Sequence, residues 1–531
     1  MPERKWWETG VVYQIYPRSF QDTTGNGVGD LPGITQRLDY VAETLGADAI
    51  WISPFYPSPM ADFGYDVSDY CDVDPLFGSL EDFSGLLARA HELGLRVIID
   101  WVPNHTSDQH PWFRESRSSR EAPKRDWYVW RDAKPDGSAP NNWLSVFGGP
   151  AWEWDETTRQ YYLHSFLSAQ PDLNWRNPEV VAAMLDTLRF WLDMGVDGFR
   201  IDVAHFVMKD PDLKDNPPAA AGNPYRDHGA YDAQDHLHDK GHPDTHGVFR
   251  AVRKVLDGYE GDRFAVGEIH VFDWKDWAGY YGKHLDELHM PFNFSLVWAP
   301  WEAQEIRSRV DAMEAVLPAG AWPNYVLGNH DEKRLATRFG PQRARVATML
   351  LLTLRGTPTL YYGDEIGLPQ ADIPDERQQD PWGRQVPGQG RDGCRTPMQW
   401  DPGSWAGFTE SGATPWLEPS PDAATRNVEQ QLADESSLLN LSRTLLRLRR
   451  ETPALREGDY RALDSPEGVF AFERRLGADR ITVALNFTDT ARILHGVSGG
   501  IMCSTDVTRP KQEIDGGLVL GPDEGVIVSH R

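Results

Sequence analysis

A chain of 531 residues, 40% hydrophobic and 25% charged, is long enough for about three domains around a large core, which excludes a small stapled scaffold and wholesale disorder. Its 53 Lys and Arg against 80 Asp and Glu leave a net charge of −27, which repels phosphate backbones and anionic lipid and argues against nucleic acid and membrane as partners. Cys71, Cys394 and Cys503 are too few and too far apart for a disulfide framework or a zinc site. No signal-type stretch opens the chain and no run of about 18 apolar residues occurs, so a cytoplasmic protein is expected. With bases disfavoured by charge, the 21 tryptophans leave sugars as ligands for flat ring faces, with a large aromatic core as the bland alternative.

In chain order, short apolar runs alternate with amphipathic stretches, the pattern of a parallel βα repeat. Val11 to Tyr16 reads as a strand, Ile34 to Leu45 as a helix, Ala49 to Ile52 as a strand, Leu80 to Leu93 as a helix and Arg96 to Asp100 as a strand. From about Pro103 to Asp172 the text is rich in Trp, Pro, Asn and Gly with no helical period, which predicts a loop-rich insertion. The alternation resumes with helix Pro178 to Met194, strand Gly198 to Asp202, helix Val248 to Leu256 and strand Phe264 to Glu268. Further strands are expected at Leu288, Tyr325 to Leu327 and Pro358 to Tyr362, with a helix over Arg343 to Leu354. About eight strands with no Gly-x-Gly-x-x-Gly turn after the first favour a closed (β/α)8 barrel over an open sheet. The barrel is expected over residues 1–103 and 173–455, with a Pro- and Gly-rich excursion over 371–428. The insertion is assigned to 104–172. After the amphipathic helix Ser437 to Arg450, short alternating segments such as Gly468 to Glu473 and Arg480 to Asn486 predict an antiparallel β domain over 456–531.

Barrel chemistry sits at the C-terminal ends of the strands. Those ends carry Asp100, Asn104 and His105; Arg200 and Asp202; Glu268; and Asn329, His330 and Asp331. Side chains alternate along a strand, so Arg200 and Asp202 share one face. A single acid after a strand is most often a cap or turn residue. Three acids on one rim repel and push a pKa upward, an arrangement that glycoside cleavage uses and a structural site does not need.

These residues lie in motifs that resemble the α-amylase superfamily of retaining glycoside hydrolases, within it the α-glucosidase and oligo-1,6-glucosidase group. The motifs are Gly10 to Phe20 (GVVYQIYPRSF), Asp62 to Tyr70 (DFGYDVSDY), Asp100 to Thr106 (DWVPNHT), Gln170 to Trp175 (QPDLNW), Gly198 to His205 (GFRIDVAH), Gly267-Glu268-Ile269, Asn329-His330-Asp331 and Gly356 to Gly367 (GTPTLYYGDEIG). The resemblance implies Asp202 as nucleophile, Glu268 as acid and then base, and Asp331 as the carboxylate holding sugar hydroxyls. Two carboxyls about 5 to 5.5 Å apart are what retention requires of Asp202 and Glu268. Arg200 is expected to keep Asp202 ionised. His105 and His330 are similar to the family's hydroxyl donors, Tyr65 to its stacking ring, and Asp62 to the carboxylate closing the pocket. Arg391 resembles the arginine pairing with Asp62, with Arg395 its rival.

Asp22, Thr24, Asn26, Val28 and Asp30 alternate around glycines as in an EF-hand loop, and related glucosidases carry a structural Ca2+ or Mg2+ there. No cofactor is needed for the chemistry. Val203, following the nucleophile position, leans towards α-1,6 linkages in such enzymes, while Ala204-His205 departs from the oligo-1,6-glucosidase wording. The function implied is exo-acting α-glucoside hydrolysis on a small oligosaccharide or disaccharide. The alternative is a transglucosylase or sugar isomerase on the same scaffold. A non-catalytic relative, as in amino-acid transporter heavy chains, would lack the acid set and carry a membrane segment.

Overall fold

The computed structural model describes residues 4–220, 228–271, 273–410 and 412–530. Eight short strands build one sheet: β1 Val12–Ile15, β2 Ala49–Ile52, β3 Arg96–Trp101, β4 Gly198–Ile201, β5 Phe264–Gly267, β6 Met290–Pro291, β7 Asn324–Val326 and β8 Thr357–Tyr361. Their spatial order is β7-β8-β1-β2-β3-β4-β5-β6, with every pairing parallel, so the expected (β/α)8 barrel is present. One side chain spans the remaining seam between β6 and β7. Asn324 Oδ1 accepts from the Asn293 N–H at 2.9 Å, and its Nδ2 donates to the Pro291 carbonyl at 2.5 Å. A carboxamide offers both a donor and an acceptor to backbone groups that the ladder leaves unpaired.

The strands read as near-continuous apolar runs because both faces are covered. Val12, Trp51, Ile98, Phe264, Val266, Met290 and Val326 fill the barrel interior, while Tyr13, Ile50, Val97 and Phe199 pack outward against the helices. Asp100 pairs in register with Arg200, which places both on the interior face one step above Ile98 and Gly198. Gly198 is required there, since a Cβ would stand 2.8 Å from the Phe264 carbonyl oxygen.

Helix Leu80–Glu92 starts at a reciprocal cap in which the Ser79 Oγ accepts from the Asp82 N–H and Asp82 accepts from the Ser79 N–H. Helix Pro178–Met194 starts on Asn177 with proline at its first position and stops at Gly195, φ 106°. The single helix expected over 34–45 is instead Leu31–Asp39 followed by a widened π turn, Tyr40–Leu45, ended by Gly46 at φ 93°. Helix Ala303–Val316 was not anticipated, because its buried stripe is narrow: Ala303, Ile306, Val310 and Met313. The insertion, read as free of helix, contains Pro111–Ser118, which buries only Phe113 and Ser116 and so shows no period.

That insertion also carries a three-stranded antiparallel sheet of Trp130–Arg131, Gln160–Leu163 and Trp152–Asp155. Beyond helix Leu438–Glu451, a six-stranded antiparallel sheet packs on the pair Arg492–His495 and Gly517–Leu520 over a separate core of Val469, Ala484, Leu494, Leu518 and Val526. Among the described residues no helix is long and apolar enough to cross a membrane.

Candidate active site

The site is assembled around one guanidinium. Arg200 rises from the interior face of β4, 1% exposed, with Nη1 donating to Asp100 Oδ1 at 2.6 Å and to Asp202 Oδ1 at 2.7 Å, and Nη2 donating to Glu268 Oε2 at 2.7 Å. Three strand ends thus converge on a planar fork suited to several carboxylates at once. Val203, next after Asp202, is left-handed at φ 35°, ψ 45°, a strained conformation for a β-branched residue. The turn aims the Val203 N–H at Glu268 Oε2, 3.0 Å away. Glu268 Oε1 meets His270 Nε2 at 2.8 Å.

A second cluster is built on the excursion after β8. Arg391 Nη2 donates to Asp62 Oδ1 at 2.7 Å and to Asp380 Oδ1 at 2.6 Å, and its Nη1 donates to Asp331 Oδ1 at 3.1 Å. Arg395 reaches Asp331 at 2.9 Å. The pairing with Asp62 therefore falls to Arg391, and Arg395 serves Asp331 instead. Gln170 holds the other oxygen of Asp62 at 3.2 Å.

Tyr65 and His330 stack with planes 3° apart at 5.4 Å. Gln14 Nε2 donates to His330 Nδ1 at 2.7 Å, which assigns the imidazole proton to Nε2, between Tyr65 Oη at 2.6 Å and Asp331 Oδ2 at 3.2 Å. His105 lies between Asn104, Gln170 and the Tyr65 carbonyl, each at 3.1 Å. Burial pushes His330 down to about 3 and His105 down to about 4, so both are neutral near pH 7.

Burial acts to raise Asp331, but His330, Arg391 and Arg395 outweigh it and hold this carboxyl below the usual range. Burial raises Asp202 well above its ordinary value, against the pull of Arg200 and with Glu268 adding to the rise. Burial also acts to raise Glu268, yet Arg200 and then His270 prevail and keep it low. Arg200 acts to lower both carboxyls. Its Nη1 is divided between Asp100 and Asp202, whereas Glu268 has Nη2, a backbone N–H and an imidazole. Two carboxyls on one guanidinium titrate as a pair.

Asp62, Tyr65, His105, Asp202, Glu268, Asp331 and Arg391 line one cavity of about 360 Å3, while Arg200 and His330 stand behind its wall. Sequence reasoning missed the aromatic residues of the same cavity: Phe147 and Phe166 from the insertion, Phe206 after β4, and Trp382 from the excursion. Phe147 stacks on Trp382 at 5.1 Å and meets Phe166 edge-on at 5.6 Å. It also missed Asp380 and His270. The two-residue spacing of Glu268 and His270 was a usable signal, whereas the aromatic wall comes from three segments far apart in the chain.

The loop of Asp22, Thr24, Asn26, Val28 and Asp30 is closed by its own hydrogen bonds. Asp22 Oδ1 accepts from the Thr24 N–H, the Thr24 hydroxyl and the Gly25 N–H; its Oδ2 accepts from the Gly27 N–H and the Thr409 hydroxyl. Those donors already exceed the roughly four lone-pair positions of a carboxylate. Asp30 is spent on Thr23 and on capping the Gly33 N–H, and Asn26 Oδ1 on the Val28 N–H. The side-chain oxygens of Asp22, Asn26 and Asp30 are thus hydrogen-bonded to backbone and hydroxyl donors in and beside the loop.

Residues 14–458 match the family model described as alpha amylase, catalytic domain. The chain is 46% identical to a probable alpha-glucosidase of Rhizobium meliloti (strain 1021), over 92% of this chain and 91% of that protein. It is 38% identical to an oligo-1,6-glucosidase of Parageobacillus thermoglucosidasius, again over 92% and 91%. Among solved structures it is similar to the alpha-glucosyl transfer enzyme XgtA, with TM-score 0.94, 44% identity and full coverage of both chains. It also resembles the trehalulose synthase MutB of Pseudomonas mesoacidophila MX-45, with TM-score 0.90, 35% identity and coverage of 99% of this chain and 100% of that one.

Proposed function

Because this chain belongs to the α-amylase family and is a glycoside hydrolase, we propose that it removes single glucose units from the non-reducing ends of short α-glucosides, with retention of configuration. The observation that carries this reading is the knot of Asp62, Arg391 and Asp380. An ion-paired wall at one end of the cavity leaves room for one sugar ring beyond the scissile bond and no passage for a longer chain.

In this mechanism Asp202 attacks the anomeric carbon and Glu268 protonates the departing oxygen, then activates the water that releases glucose. Positive charge developing at that carbon favours the anion on Asp202. Asp331 and Asp62 hold ring hydroxyls as carboxylates, with His105 and His330 acting as neutral hydrogen-bond partners and Tyr65 as the stacking face.

Incubation with maltose, isomaltose, sucrose, trehalose and soluble starch, each alone, tests the reading. Free glucose from the small sugars at low concentration is expected; fragmentation of starch into mid-length chains would overturn it. A second reading is transfer of glucose to another alcohol, for which the aromatic lining of Phe147, Phe166, Phe206 and Trp382 offers ring faces to an acceptor sugar. The transfer enzyme and the synthase similar to this chain support it as well. Elongated or rearranged sugars dominating at low substrate would select that reading.

A further inference from the structure

The acid of the proposed reaction has two unlike oxygens. Glu268 Oε2 is occupied by fixed donors, Arg200 Nη2 at 2.7 Å and the Val203 N–H at 3.0 Å, neither of which can accept a proton from it. Oε1 faces His270 Nε2 at 2.8 Å. A proton bound for a leaving oxygen therefore departs from Oε1, the oxygen in contact with an imidazole. The ring is fixed from behind by Phe294, stacked at 4.7 Å with planes 14° apart, and by Trp298 at 5.5 Å. Its side chain is 29% exposed and lines the cavity, so it can exchange protons with water.

We infer that His270 is the positioning residue of the acid, its Nε2 and Glu268 Oε1 sharing the one proton that the leaving oxygen takes. This rests on the α-glucosidase reading of the site. In the first half-reaction Asp202 bonds to the anomeric carbon and the glycosidic C–O bond breaks with its electron pair on oxygen. That oxygen takes the shared proton, leaving Glu268 anionic and His270 neutral. In the second, a water oxygen bonds to the anomeric carbon, the bond to Asp202 breaks, and the proton lost by water returns to the Glu268–His270 pair. Arg200 Nη2 and the Val203 N–H occupy Oε2, so a proton reaching Glu268 from the cavity arrives at Oε1, beside the imidazole. The charged and titratable groups facing the pair are Asp100 from β3, Arg200 from β4 and Asp202 just after it, Asp331 after β7, and His205, whose ring lies 5.7 Å from His270 with Lys240 acting on it. Phe294 and Trp298, after β6, bring no charge.

The test compares the wild type with His270→Gln on a disaccharide and on an activated aryl α-glucoside, whose phenolate leaves without protonation. In the variant the carboxyl alone holds the proton, so the alkaline limb of kcat/KM on the disaccharide is expected to move towards acid. At neutral pH disaccharide turnover is expected to fall about 10- to 100-fold, while the aryl glucoside changes less than about threefold. An unmoved limb, or equal losses on both substrates, would overturn the inference. If His270→Gln does not fold, Glu268→Gln carries the test. An imidazole whose titration by 15N NMR moves to lower pH than in the wild type upholds the pairing; imidazoles titrating alike in both proteins refute it. A wild type that cleaves no α-glucoside refutes the proposed function, whereas an active enzyme with an unmoved limb refutes only the pairing.

Discussion

Replacing Arg391 with methionine keeps much of the side-chain volume and removes the charge shared by Asp62, Asp331 and Asp380. Asp331 retains Arg395, but Asp380 loses its ion-pair partner and Asp62 keeps only Gln170. Both are buried, at 0% and 4% exposure. Removing one partner of a buried pair costs about 3 to 5 kcal/mol if the orphaned charge stays. Both carboxyls escape that cost by taking up protons. Burial already raises Asp62 against the pull of Arg391, and burial would raise Asp380 too were Arg391 not outweighing it. In the variant both folded values lie above the unfolded carboxyl value of about 3.9. Such a group leaves stability intact below its unfolded pKa and takes it away as pH rises through the folded one. The stability deficit of Arg391→Met is therefore smallest in acid and grows towards neutral pH.

Sugar binding follows the opposite slope, because Asp62 must be ionised to hold a hydroxyl strongly. Exchanging a charged hydrogen bond, about 1.5 to 3 kcal/mol, for a neutral one of about 0.5 to 1.5 raises KM roughly tenfold at neutral pH, and the loss shrinks as pH rises. The assay pairs urea midpoints with KM for one disaccharide, each at about pH 5 and about pH 8; midpoints are compared because a chain with several domains need not unfold in two states. A deficit equal at both pH values, or an unchanged KM, would refute the reasoning.

Other outcomes follow from the same geometry. Gly267→Ala places a Cβ 2.5 Å from the buried Leu288 Cδ1 and 3.3 Å from the Ala204 Cβ. The overpacking is expected to cost about 1 to 3 kcal/mol and to displace Glu268, lowering kcat more than KM; thermal melts and kinetics check both. Trp382→Ala removes the ring stacked on Phe147 and packed under Arg391, so KM for the disaccharide is expected to rise more than kcat falls in steady-state kinetics. A protein dialysed against a chelator is expected to melt at the same temperature as one supplied with calcium, because the Asp22 oxygens are already taken.

The barrel was legible because strands buried on both faces write themselves as apolar runs such as Ala49–Ile52 and Val97–Ile99. Helix Ala303–Val316 was not, since four buried residues in fourteen leave a weak period. Asp202, Glu268 and Asp331 could be picked out because each follows a strand on an alternating pattern. The sharing of Arg200 among Asp100, Asp202 and Glu268 could not, as it depends on which guanidinium nitrogen each receives. Asp380, Trp382 and Arg391 sit on an irregular excursion, and only the chain's return over the barrel mouth gives them partners. In the loop of Asp22 to Asp30 the spacing of oxygen-bearing residues is visible in a sequence, while the hydrogen bonds those oxygens accept are not.

Retention through Asp202, with glucose released from the chain end, is read from proton NMR of the first minutes of disaccharide cleavage, before mutarotation. α-Glucose is expected first, and Asp202→Asn, folded as the wild type, is expected to yield none. β-Glucose appearing first, or undiminished turnover in the variant, would rule out retention through Asp202.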